Sequence, residues 1–98
     1  MQIISAKQLR EKIAGKEDII LVDVRENYEH DEFNIGGLLI PLADIIGNAA
    51  QIPKDKMVVI YCRKGIRSQI AIQRLEARFG FTNLVNLDGG LEKWKQIL

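Results

Sequence analysis

The chain has 98 residues, 47% hydrophobic and 28% charged, and its 14 basic and 13 acidic side chains leave a net charge of +1. This is globular composition, long enough for one domain over residues 1–98 with a modest core. Near-balanced charge argues against a general nucleic-acid binder, and no stretch approaches the roughly 20 apolar residues of a membrane helix. The first residues have no long apolar run after a basic start, so no secretory signal is expected; neither nucleic acid nor membrane is expected as a partner, and a cytoplasmic location suits the lone cysteine.

Gln2-Ile3-Ile4 reads as a short first strand. Ser5-Ala6-Lys7-Gln8 has the form of a capping box, in which a serine accepts from the helix start and a glutamine reaches back. Leu9 and Ile13 then lie one turn apart on a helix that Gly15 ends. Ile19-Ile20-Leu21-Val22-Asp23-Val24 is a nearly unbroken apolar run, the pattern of a strand buried on both faces of a parallel sheet. Asp23 and Arg25 place opposite charges at its carboxyl end. Glu26 to Glu32 is charged and includes a short helix, on which His30 reads as exposed. Phe33 to Gly37 is a loop, because paired glycines break regular structure.

Leu38-Leu39-Ile40 reads as a brief strand, and Leu42, Ile45 and Ile46 have helical spacing before Gly47-Asn48 ends that piece. After a surface connection, Met57-Val58-Val59-Ile60-Tyr61 forms a central strand. Ile66, Ile70, Ala71, Leu75, Ala77 and Phe79 make most of an apolar stripe on the next helix, which Gly80 ends. Asn83 to Leu87 is a last strand. Asp88-Gly89-Gly90 turns into a closing helix with Asp88 as its N-cap and Leu91, Trp94 and Ile97 on one face. Lys54, Lys56, Lys93 and Lys95 read as solvated. Strands alternating with helices imply an α/β fold: a central, mostly parallel sheet of about five strands with helices on both faces and the strands' carboxyl ends along one rim. Ligands of open α/β sheets bind at that rim.

Cys62 lies there, at the hinge between strand and helix. Arg63, Lys64 and Arg67 put three cations within five residues of it, Gly65 permits a tight turn, and Ser68 begins the helix as a candidate cap. Loop N–H groups, a helix N-terminus and nearby cations all favour a thiolate, or a bound anion. A lone cysteine after an apolar strand is by default a small buried hydrophobe, and its neighbours set this one apart. His30 is the only histidine and stands well before the loop in the sequence, so no base is visible to activate the thiol. The chemistry expected is that of a thiolate stabilised by its surroundings, acting on an anionic co-substrate. Cysteine phosphatases hold Cys and Arg in a C-x5-R loop around phosphate. Cys62 to Arg67 is C-x4-R, a tighter cradle better matched to one extra sulfur atom than to a phosphoryl group.

Three motifs together resemble a single-domain rhodanese, a sulfurtransferase: Leu21-Val22-Asp23-Val24-Arg25; the loop from Cys62 to Ser68; and Gly80-Phe81-Thr82-Asn83 through Leu87-Asp88-Gly89-Gly90-Leu91 with Trp94. The match spans nearly the whole chain. It departs where many members have His-Ile-Pro-Gly-Ala and this chain has Asn34-Ile35-Gly36-Gly37-Leu38, a change that bears on loop shape and partner choice more than on catalysis. The resemblance implies a rhodanese-like fold and a ping-pong sulfur transfer. Cys62 takes the outer sulfur of a small anionic donor such as thiosulfate, and a thiol, cyanide or protein acceptor removes it. Arg63, Lys64, Gly65, Ile66, Arg67 and Ser68 would bind the donor and the persulfide. From its place at the strand end Asp23 reads as scaffold that bonds to the Cys62 loop, with Arg25 as a second supporting residue that could meet the donor. No metal or organic cofactor is called for. The rival readings are a protein-to-protein persulfide relay with little thiosulfate activity, a binding module with a relic cysteine, and a phosphate-ester or arsenate enzyme. The intact basic loop disfavours the relic, and the short loop disfavours the last.

Overall fold

The structure, a computed structural model, describes residues 1–97. Its five strands are β1 (Gln2–Ile4), β2 (Ile19–Asp23), β3 (Leu38–Leu39), β4 (Met57–Tyr61) and β5 (Leu84–Leu87). They form one sheet in the order β1-β5-β4-β2-β3, and every pairing is parallel. The α-helices are α1 (Ala6–Ala14), α2 (Asn27–Glu32), α3 (Ile66–Phe79) and α4 (Gly90–Gln96), and two 3-10 turns lie between β3 and β4.

Alternation along β4 sends successive side chains to opposite faces. Val58, Ile60 and Cys62 join Ala71, Ile72 and Leu75 of α3 and the residues around the 3-10 turns. Val59 and Tyr61 join Leu9 of α1 and Leu91 and Trp94 of α4. The sheet is therefore covered on both faces, and the period-two rule alone puts the Cys62 sulfur on the α3 side. Tyr61 is fully buried and donates its hydroxyl to the Gly36 carbonyl at 2.9 Å, and burial raises its phenol above the usual range.

Several local expectations hold. Ser5 Oγ accepts from the Gln8 N–H at 3.0 Å while Gln8 Oε1 accepts from the Ser5 N–H at 2.9 Å, so the capping box is complete. Others need correction. The first three residues of β2 are only half-buried, because β3 is two residues long and pairs only with Val22 and Asp23. The buried face of α3 is Ser68, Ala71, Ile72 and Leu75, whereas Ile66 and Phe79 are exposed at its ends. Ile13 is exposed on α1, and Ile97 lies exposed beyond the end of α4.

Candidate active site

Strand β4 ends at Tyr61 and delivers Cys62, a residue 1% exposed, to the carboxyl rim. The chain then turns through Gly65, whose φ of +92° is a left-handed conformation that favours glycine, and enters α3. The Gly65 N–H donates to Cys62 Sγ at 3.1 Å and the Ser68 N–H at 3.4 Å. Gly65 is the N-cap of α3 and has no side chain to cap with. Ser68 lies three residues further on, where a capping side chain ordinarily finds its N–H partner. The cysteine sulfur fills that role. Ser68 is thus inside the helix, its own N–H capped by the Cys62 sulfur, and is not itself the cap.

The far side of the loop is held by α4. The N–H groups of Leu91 and Glu92 donate to the carbonyls of Cys62 and Arg63, at 2.9 and 3.0 Å. These are orphan donors of a helix start, and they account for Asp88 not acting as cap. Gly89 occupies the cap position, and Asp88 instead meets Lys93 at 3.4 Å on the surface. Close docking of α4 needs Gly90, since a Cβ there would fall on the Cys62 carbonyl and 2.6 Å from the Arg63 carbonyl oxygen.

Asn86 is one of the residues that sequence reasoning missed. It is buried in β5, where Asn86 Nδ2 donates to the Gly65 carbonyl at 3.1 Å. That bond fixes the amide, leaving Oδ1 to accept a short hydrogen bond from the Ser68 hydroxyl, which itself stands 3.4 Å from Cys62 Sγ. One amide therefore locks both the glycine turn and the serine beside the sulfur. Its signal was available: a lone amide within the apolar strand Leu84-Val85-Asn86-Leu87 needs a buried partner.

Above the sulfur is a cavity of about 320 Å³ lined by Cys62, Arg63, Lys64, Ile66 and Arg67. Ile66 is exposed at its wall rather than packed in the core. The three expected cations are gathered here, but two have carboxylate partners. Arg67 Nη1 and Nη2 donate to Glu29 Oε1 and Oε2 of α2 at 2.7 and 2.9 Å. Arg63 Nε meets Glu92 Oε2 at 3.2 Å, and both of those side chains are exposed. The Arg67 guanidinium holds the Glu29 carboxyl down at about 2, a shift that desolvation partly opposes.

Asp23 and Arg25 lie close by but form a unit of their own. Asp23 Oδ1 accepts from the Arg25 N–H at 3.0 Å, and Nε and Nη2 of Arg25 reach both carboxylate oxygens at 2.8 to 3.2 Å. Arg25 Nη2 also donates to the Phe33 carbonyl at 2.6 Å. His30 Nδ1 bonds Asp23 Oδ2 at 2.9 Å, so His30 is not the exposed helix residue that its charged segment suggested. Asp23 does not make the expected bond to the Cys62 loop, because its carboxylate is engaged by Arg25 and His30; the two strand ends are tied instead by the Val24 N–H, which donates to the Tyr61 carbonyl at 3.1 Å. Arg25 lines a neighbouring cavity, not the one over Cys62. Among the described residues no group of three or more His, Cys, Asp or Glu side chains is placed to hold a metal ion, and no helix is long and apolar enough to cross a membrane.

A thiol capping a helix at the carboxyl rim of a parallel sheet defines a class: an α/β protein with a cysteine loop. Comparison with known proteins narrows it. The family model for the rhodanese-like domain matches residues 5–97. A protein named sulfurtransferase from Allochromatium vinosum is 38% identical over 92 residues, covering 93% of this chain and 85% of that one. Thiosulfate sulfurtransferase GlpE from Coxiella burnetii is 34% identical, covering 86% and 78%. The crystal structure of a rhodanese-like domain protein from Staphylococcus aureus superposes with a TM-score of 0.86 at 30% identity, over 96% of this chain and 91% of that one. The chain belongs to the rhodanese-like domain family, and its relatives' names support sulfur transfer as the class of activity.

Proposed function

We propose that this protein is a sulfurtransferase that moves a sulfane sulfur from thiosulfate or a similar donor to a thiol or cyanide acceptor through a persulfide on Cys62. The observation that carries the reading is the pair of N–H groups, from Gly65 and Ser68, already aimed at Cys62 Sγ. Backbone dipoles fixed in place before reaction need no reorganisation when charge develops on sulfur. The cavity above is open to a donor's outer sulfur, and cations line its wall.

In the first half-reaction the Cys62 thiolate attacks the outer sulfur of thiosulfate. A new S–S bond forms, the old one breaks, and its electron pair leaves with sulfite. In the second, cyanide or a thiolate attacks the outer sulfur of the persulfide, and the pair from that S–S bond returns to Cys62 as thiolate. No oxidant or reductant is consumed, and the cycle is ping-pong.

The test is intact mass after incubation with thiosulfate. The protein should gain one sulfur atom, lose it on addition of cyanide, and gain nothing as Cys62→Ser. A protein that takes no sulfur from any sulfane donor would sink the reading.

A further inference from the structure

By sequence, Arg67 is placed to draw an anionic donor toward Cys62. In the structure its guanidinium is engaged in two parallel bonds to Glu29, the geometry that makes arginine–carboxylate pairs strong and directional. Its partner's side chain is only 15% exposed. The pair joins a wall residue of the Cys62 cavity to a wall residue of a larger one, about 560 Å³, that also contains Arg25, Tyr28, Arg63, Glu92 and Lys95. Arg63 borders both cavities and leans on Glu92. The mouth above the sulfur thus carries three cations against two carboxylates, and among the described residues Lys64 alone of the three makes no ion pair. A mouth of such low net charge gives a dianion little advantage over a monoanion.

We propose that Glu29 is a specificity-determining residue of this site: by holding Arg67 in a two-point ion pair, its carboxylate tunes the site toward sulfur donors of low negative charge, persulfides and thiosulfonates, and away from dianionic thiosulfate. The inference rests on the reading of Cys62 as the sulfur acceptor. It follows from Coulomb's law, because the energy between a fixed charge and a donor scales with the donor's charge. Removing the Glu29 charge should therefore multiply the use of a dianion by the square of the factor that it gives a monoanion. The two donors share one chemistry: Cys62 thiolate bonds to the outer sulfur, and sulfite leaves from thiosulfate or methanesulfinate from methanethiosulfonate.

The experiment compares kcat/KM for thiosulfate and methanethiosulfonate, with cyanide as acceptor, in wild type, Glu29→Gln and Glu29→Asp. Glutamine keeps an oxygen for the Glu26 N–H that Glu29 Oε1 now accepts at 3.1 Å, so the start of α2 retains its cap. Glu29→Gln should raise kcat/KM about tenfold for thiosulfate and about threefold for methanethiosulfonate, mostly through KM. Both gains should vanish in about 1 M salt, where the screening length is about 3 Å. Glu29→Asp keeps the charge and should keep the wild-type ratio between donors. Because that ratio is taken within one sample, it does not depend on the fraction folded. Equal changes for both donors, or a Glu29→Asp ratio like that of Glu29→Gln, would overturn the inference while leaving sulfur transfer intact. Failure of wild-type Cys62 to load from either donor would instead overturn the sulfur-transfer reading, and this inference with it.

Discussion

Two clusters of polar groups sit side by side at the carboxyl rim, at the ends of strands paired through Asp23 and Tyr61. At the end of β2 the charges are whole and internally matched: Asp23 is bonded to Arg25 and His30, and Arg25 also to Phe33. At the end of β4 the sulfur is met by backbone N–H groups, and whole charges stand only at the cavity mouth. The first cluster closes on itself. The second leaves dipoles pointing at an atom that can change its charge. At the strand ends, full charge is matched within the first cluster, while partial charge on the backbone is aimed at the sulfur.

The sharpest way to break that contrast is Asp23→Ala. Asp23 is fully buried and Arg25 nearly so, and removing one partner of a buried pair leaves the other charge uncompensated, at a cost of about 3–5 kcal/mol. Urea denaturation should show that loss, a large part of the stability of a domain this size. Persulfide loading per folded molecule, followed by mass, should stay within about twofold of wild type, well under the 1.4 kcal/mol of a tenfold change. A drop of tenfold or more would show that the two clusters act as one.

The sequence made the frame of this corner legible and left its fittings unseen. The alternation of apolar runs and helical stripes was enough for the order of elements and for the placement of Asp23, Arg25 and Cys62 on one rim, since each rests on a local period. The Ser5 box was readable for the same reason. Missed were contacts between residues far apart in the chain: Glu29 with Arg67, Asn86 with Gly65 and Ser68, and the start of α4 on the carbonyls of Cys62 and Arg63. Ser68 and Asp88 look like caps on local grounds. They lose that role to a sulfur and to two carbonyls that only the tertiary structure brings near. His30 was misread for a similar reason, because its charged segment says nothing of the Asp23 carboxylate beside it.

Asn86→Ala should give the opposite signature to Asp23→Ala. It strips a partner from the Gly65 carbonyl and from the Ser68 hydroxyl, both buried, so stability should fall by about 1–3 kcal/mol. Persulfide loading per folded molecule should fall roughly tenfold, equivalent to 1.4 kcal/mol of barrier, as the turn that aims the Gly65 N–H at the sulfur loosens. Unchanged loading would mean that the glycine turn holds its shape without the amide.

The smallest effect concerns Glu29, the carboxylate paired with Arg67 at the wall of the Cys62 cavity. Its folded-state pKa of about 2 lies below the ordinary 4.5, chiefly because of the hydrogen bonds from Arg67. A carboxyl whose pKa is depressed by folding stabilises the fold where it is ionised in both states, above about 4.5, and that contribution disappears as pH falls toward 2. Arg67 is about one-third exposed, so solvent screening limits the pair to about 1 kcal/mol. The stability difference between wild type and Glu29→Gln, measured by urea denaturation, should be flat near neutral pH and shrink to nothing between pH 4.5 and 2. A difference that persists at pH 2 would mean that Glu29→Gln costs stability by something other than the lost carboxylate charge. The Glu29 charge would then act only on the donor, and the ion pair would belong to the chemistry of the mouth rather than to the scaffold.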